Sequence, residues 1–170
     1  MPVLGQANHP DCNRRLDMDM INEIYNGRIL ALAADIPRLR RLDHPDASAQ
    51  AISKLCGSKV AVDVVLKDGV ISDFGQDVKA CALGQATSSI MGRHVIGSTP
   101  DELRALRQQM YQMLKEDGPA PSGKWSELEA LLPVRDFKAR HASTLLTFDA
   151  VVDALNQIET AHEKQAALSH

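Results

Sequence analysis

The chain has 170 residues, 44% of them hydrophobic and 24% charged, with a formal net charge of −3. That is enough for one domain with a real hydrophobic core. There is no basic excess to serve as a footprint for nucleic acid, and no apolar run approaches the roughly 20 residues of a membrane span, so neither is an expected partner.

The opening "MPVLGQANHPDCNRR" lacks a charged start followed by an apolar core, so no signal peptide is expected and the expected location is cytoplasmic. Disulfides are rare there, and the three cysteines are an odd number. Metal binding or thiol reactivity is the better expectation.

In chain order, residues 1–16 are polar and aperiodic, with Pro2, Gly5 and Pro10, and read as a flexible arm. A single domain over 17–160 follows. Asp17 or Asp19 is expected to cap a helix that buries Met18, Ile21, Ile24, Tyr25, Ile29 and Leu32 and ends by Pro37. The basic run Arg38–Arg41 reads as a solvated loop face. "ASAQAISKL" leads to Cys56 and a tight Cys-Gly-Ser corner. "KVAVDVVL" is β-branched, "KDG" at 67–69 is a hairpin signal, and "VISDFGQDV" is the return strand. The imperfect alternation of these strands implies that helices cover one face.

From Cys81 the pattern turns helical. Ala82–Val95 is a helix of small residues ended by Gly97. "STPDEL" starts the next, with Thr99 as cap, Pro100 at the first helical position and Glu102 closing a capping box. Leu103, Leu106, Met110 and Met113 form its buried stripe. After the loop "EDGPAPSG", a short helix presents Trp125, Leu128 and Leu131 or Leu132. "PVRDFKARH" is a connector. A last helix carries Leu145, Phe148, Val152, Leu155 and Ile158, and residues 161–170 form a fraying tail. The predicted fold class is α+β: a small antiparallel three-stranded sheet packed against several helices.

Two cysteines stand at the ends of β elements. Cys81 opens a helix, whose N-terminal N–H groups and dipole favour a thiolate, with Lys79 nearby. Cys56 lies where a strand meets a glycine turn. In a meander such ends can share one edge of the sheet, so the two can converge. His141, at the start of the last helix, is the candidate third donor of a soft-metal set. Ser143 or Thr144 reads as an N-cap. Cys12 and His9 in the arm are a weak metal pair at best, and His94 complements the C-terminal end of its helix. No P-loop, dinucleotide fingerprint or nucleophile elbow is present.

The order of these motifs carries a resemblance. "KLCGSKVAVDVVLKDGVISDF", "VKACALGQATSSIM", the helix with "DEL", "ELEALLPVRDF" and "ARHASTLLTFDAVVDAL" resemble the NifU/IscU/SufU family of iron–sulfur cluster assembly scaffolds. The likeness runs from about Met18 to Ile158 and is strongest to the SufU-like branch. It implies the IscU/SufU-like fold and a scaffold or carrier that is not an enzyme. Such a protein binds iron, cluster precursors (a transient iron–sulfur cluster) or zinc. The implied partners are a cysteine desulfurase and recipient apo iron–sulfur proteins.

In that family the first cysteine belongs to a Cys-Gly-Asp motif, the second opens the small-residue helix and the third opens the last helix. Cys56 and Cys81 match the first two. Ser58 stands where the aspartate is expected and Ser143 where the third cysteine is expected, so the ligand set is incomplete relative to the family. The expected remedies are His141 completing a Cys-Cys-His site, a homodimer sharing one cluster, or ligands from a partner. The alternative functions are a sulfur-accepting relay, with Cys81 the first candidate, and a degenerate regulator of the desulfurase.

Overall fold

The computed structural model describes residues 24–169. The arm over 1–16 with Cys12, and the expected caps and apolar positions Asp17, Met18, Asp19 and Ile21, lie outside the described residues. The expected first helix does not run unbroken to Pro37. Asn26 is extended (φ −71°, ψ 170°) and its side chain accepts the Ile29 N–H at 3.1 Å. A new helix, α1 (Gly27–Ala34), therefore starts there and buries Ile29 and Leu32. A short amide side chain that can bond its own backbone favours a cap over a helix interior.

The three predicted strands form: β1 (Ala47–Ile52), β2 (Lys59–Lys67) and β3 (Val70–Lys79), antiparallel in the order β1-β2-β3. Asp68 and Gly69 both take positive φ, 55° and 80°, in the two-residue turn that suits the twist of a hairpin. Val60, Val62 and Val64 point into the core and are fully buried.

Alternation alone would put Asp63, on the opposite face of β2, in water. It is buried instead, because residues 38–42 cross that face. The Arg41 guanidinium donates to both Asp63 carboxylate oxygens at 2.7 Å, and the Leu42 N–H donates to one at 2.9 Å. The basic run is exposed, as expected of a loop face, but Arg41 is also the strap's anchor. A side chain at position 75 would collide with the Arg40 carbonyl, so Gly75 lets the strap lie flat on β3.

The remaining elements are α2 (Ala82–His94), α3 (Pro100–Lys115), a 3₁₀ stretch over Gly123–Asp136, a 3₁₀ turn over Lys138–Arg140, and α4 (His141–Leu168). Thr99 caps α3 as expected, accepting the Glu102 N–H at 3.2 Å. The Glu102 carboxylate accepts from the indole N–H of Trp125 at 3.2 Å and so ties the start of α3 to the 3₁₀ stretch. The short helix expected around Trp125 is this 3₁₀ run, and it absorbs part of the predicted connector. The reason is spacing: its buried residues Trp125, Leu128, Leu131 and Val134 recur every third position, the period of a 3₁₀ helix.

Leu145, Phe148, Val152, Leu155 and Ile158 are all buried on α4, against the core face of the sheet. The helix continues through the tail expected to fray, to Leu168, with every described residue after Ile158 exposed. No helix among the described residues is long and apolar enough to cross a membrane.

Candidate metal and sulfur site

Four segments meet at one end of the sheet: the β1–β2 corner, the end of β3, the start of α2 and the start of α4. The corner is a closed loop. Ser53 N–H donates to the Ser58 carbonyl and Gly57 N–H donates to the Ser53 carbonyl, both at 2.8 Å. Gly57 closes it at φ +71°, a conformation that favours glycine. This geometry leaves Cys56 exposed at the tip while Ser53 and Ser58 are buried beneath it.

Ser58 joins the two cysteines. Its Oγ lies 3.0 Å from Cys56 Sγ and accepts the Cys81 N–H at 3.2 Å. Cys81 is half-buried and is the N-cap residue of α2, with φ −65° and ψ 171° and no side-chain capping bond. In the thiol form the Cys56 S–H donates to the Ser58 oxygen, which also accepts the Cys81 N–H; once the thiol ionises, the Ser58 hydroxyl can turn its proton to the sulfur. The Cys56 thiol is accordingly lowered from its ordinary value, first by hydrogen bonding from Ser53, then from Ser58, with the charge of Arg140 adding to them; partial burial opposes the shift. The expectation placed the activated thiol at Cys81 on the strength of the helix start. The influences that favour a thiolate act instead at Cys56.

The small residues of α2 have a specific use. A Cβ on Gly84 would stand 2.8 Å from the Ala80 Cβ and 3.1 Å from the Ser143 carbonyl oxygen. Gly84 thus lets the backbones of α2 and α4 approach closely just below Cys81. Ser143 is buried at this crossing, and its hydroxyl donates to the Arg140 carbonyl at 3.1 Å, as does that of Thr144 at 2.8 Å. These bonds turn both hydroxyls back onto the first turn of α4.

His141 does not join the cysteines. It is buried, and its Nε2 donates to the carbonyls of Val134 at 3.1 Å and Arg135 at 3.0 Å. Its ring instead helps line a cavity of about 420 Å³ with Leu114, Lys115, Asp117, Arg135, Asp136 and Lys138. Among the described residues no three His, Cys, Asp or Glu side chains gather into a set able to hold a metal ion. The structure thus does not bring the expected Cys-Cys-His set together: Ser58 links Cys56 and Cys81, and His141 bonds elsewhere. His94 is likewise engaged elsewhere, with Nε2 2.6 Å from Glu127 Oε1 and its ring edge-on to Trp125.

Sequence reasoning missed two participants. Ser53 gave no signal beyond its place before the Cys-Gly corner. Arg140 is a cation at the start of a helix, where dipole complementarity disfavours it, and that anomaly is legible in the sequence.

A structure of the N-terminal part of a NifU-like protein from Brucella abortus is 60% identical to this chain, covers 83% of it and 98% of its own length, and superposes with a TM-score of 0.81. The chain belongs to the NifU/IscU/SufU-like family. No family model matches it. A scaffold protein named IscU from Thermotoga maritima is 22% identical over 135 residues, 79% of this chain and 94% of its own. Another of the same name from Streptococcus pyogenes is 27% identical over 122 residues, 71% of this chain and 76% of its own. A structure from Fervidobacterium islandicum, described as a putative SUF-system assembly scaffold, shares the fold at a TM-score of 0.73 and 18% identity. The three-stranded sheet with its covering helices is the IscU/NifU/SufU fold, as expected.

Proposed function

We propose that this chain is an iron–sulfur cluster assembly scaffold or carrier that holds iron, cluster precursors or zinc through Cys56 and Cys81. The observation that carries this reading is the Ser58 hydroxyl, within hydrogen-bond reach of both Cys56 Sγ and Cys81 N–H at the exposed end of the sheet. The names of the relatives support the class of cargo.

Two thiolates leave a four-coordinate ion or cluster with open positions. With His141 turned away, the remaining ligands come from outside the chain, from a second copy or from a partner protein. Incomplete ligation at an exposed loop suits cargo that must be handed on. The desulfurase and the recipient apo-proteins are the partners that this role requires.

The test is elemental analysis of iron, zinc and acid-labile sulfide in protein purified without oxygen. Near-stoichiometric metal in the wild type that disappears in Cys56→Ala/Cys81→Ala is the expected result. Equal content in the two proteins would remove the proposal.

A second reading, sulfur acceptance, is favoured at Cys56 rather than at Cys81 by exposure and by the hydroxyls of Ser53 and Ser58 beneath its sulfur. There the Cys56 thiolate would attack the outer sulfur of a donor persulfide and release the donor thiolate. Mass spectrometry after incubation with desulfurase and cysteine tests it. A 32 Da addition on Cys56 that survives Cys81→Ala is expected, and its absence would sink the reading.

A further inference from the structure

The two edges of the sheet are finished differently. Along β3 the backbone groups that face away from β2 are taken up. Ile71 N–H donates to the Ser98 carbonyl, Gly97 N–H to the Ile71 carbonyl and Gln76 N–H to the Arg38 carbonyl. β3 also carries Asp73, Asp77 and Lys79, charges that discourage a further strand. β1 has neither protection. Among the described residues nothing pairs with its outer side, and Ala47–Ile52 includes no charge and no proline.

The register fixes which groups lie open. Ser53 N–H donates to the Ser58 carbonyl, one step beyond the pair Ile52–Lys59. Hydrogen-bonded pairs alternate along an antiparallel ladder, so Ala51, Ala49 and Ala47 also turn their backbone groups toward β2. The N–H and C=O groups of Ser48, Gln50 and Ile52 therefore face outward, and all three residues are exposed.

A second copy of β1, running antiparallel, matches these groups. In one register every outward residue meets an outward residue: Gln50 opposite Gln50, and Ser48 opposite Ile52 on either side of it. Each such pair exchanges two N–H···O bonds about a two-fold axis at Gln50. The same register carries the exposed Lys54 of each copy to Asp46 of the other. Asp46 is exposed too, and the Leu66 N–H occupies its Oδ2 alone, leaving Oδ1 for the lysine. The strand is thus complementary to itself in backbone and in charge.

We propose that the β1 edge joins a second copy of this chain, antiparallel and in this register, so that two sheets become one. The seam runs along the side of the sheet. Its axis sends the two Cys56 loops to opposite ends, so the copies are not bridged by shared cargo and the interface does not rest on the scaffold reading. A seam this short buries less than about 1,000 Å², which makes it a weak, concentration-dependent interface.

Sedimentation of reduced full-length protein from about 10 µM to about 1 mM tests the association. Wild type is expected to pass from monomer toward dimer over this range, equally with and without a chelator, and equally in Cys56→Ala/Cys81→Ala. Gln50→Pro removes an N–H that the fold itself leaves unused and is expected to weaken dimerisation by about tenfold or more. Gln50→Lys sets like charges against each other at the axis and is expected to do the same. Circular dichroism checks that each variant is folded.

Cross-linking reads the register, in full-length protein carrying Cys12→Ser/Cys56→Ser/Cys81→Ser. Residues opposed in a hydrogen-bonded pair lie about 5.5 Å apart at Cα, within disulfide reach. Gln50→Cys is expected to link to its own copy under air oxidation. Ile52→Cys is not, because its two copies stand about 13 Å apart along the seam. A monomer at every concentration, a dimer lost with the chelator or in Cys56→Ala/Cys81→Ala, a dimer indifferent to both Gln50 variants, or equal linking at the two positions would each overturn the proposal. Wild type that dimerises as stated but holds no metal would remove the scaffold reading and leave the seam standing.

Discussion

Two stretches of one strand handle charge in opposite ways. At the middle of β2, Asp63 is almost wholly buried, and every polar group it needs is supplied: Nε and Nη2 of Arg41, the Leu42 N–H and the Ser48 hydroxyl. At the start of the same strand, Lys59 faces Lys79 without an acidic partner among the described residues, beside exposed Leu55 and Cys56. The closed centre fixes the strap to the sheet. The open end keeps charge, sulfur and apolar surface uncommitted. A fold this small spends its satisfied polar contacts where they hold structure together, and leaves unsatisfied the groups that other molecules are to meet.

The largest expected consequence falls on the closed centre. Arg41→Ala strips a half-exposed guanidinium from a buried carboxylate and is expected to cost about 3 kcal/mol, the low end for leaving a buried charge unpaired. For a chain of this length that lowers the thermal midpoint by about 10 °C, measured by circular dichroism. A loss under about 1 kcal/mol would mean that Ser48 and the Leu42 N–H hold the strap alone.

Acid probes the same contact. The Arg41 hydrogen bonds, with those of Ser48 and Leu42, hold Asp63 below the ordinary carboxylate value, at about 2. A depressed carboxylate contributes stability that is complete above about pH 4 and is lost as pH falls toward 2. Urea unfolding at pH 5 and pH 2 should differ by about 2 kcal/mol more in wild type than in Asp63→Asn. Equal pH dependence in the two proteins would contradict the assignment.

A third substitution tests how the open end is held from beneath. Gly84→Ala puts a methyl against Ala80 and the Ser143 carbonyl, and is expected to cost about 1–2 kcal/mol through overpacking. It should also weaken metal retention, since α2 carries Cys81 at its start. The smallest effect has the opposite sign. Lys59→Gln/Lys79→Gln relieves the cross-strand repulsion and is expected to stabilise by about 0.5 kcal/mol, read as a small rise in urea midpoint. A destabilisation would show that the pair serves the fold.

The same contrast explains what the sequence could and could not convey. The hairpin was legible because Asp68-Gly69 has few alternatives to a tight turn. The start of α3 was legible because Thr99, Pro100 and Glu102 act within one helical turn. Cys56 and Cys81 were legible as a pair because short connections bring their strand ends together. Arg41 could not be matched to Asp63 by any local rule, since the contact bridges 22 positions and depends on where the strap crosses the sheet. His141 misled for the related reason that proximity along the chain to Ser143 says nothing about which way its ring turns. Two carbonyls of the preceding 3₁₀ stretch claim its Nε2. The break at Asn26 and the 3₁₀ stretch from Trp125 to Val134 are written in the residues, the first as a short amide that can cap and the second as apolar side chains at every third position.

The central claim is that Cys56 and Cys81, without His141, form the holding site. Zinc titration of the metal-free full-length protein tests it most directly, comparing wild type with Cys56→Ala, Cys81→Ala and His141→Gln, each first shown to be folded by circular dichroism. The account predicts that either cysteine variant loses affinity by about 100-fold or more, beyond the effect of losing a merely supporting group, while His141→Gln binds as wild type does. Loss of zinc in His141→Gln equal to that in the cysteine variants, or full binding without either cysteine, would contradict it.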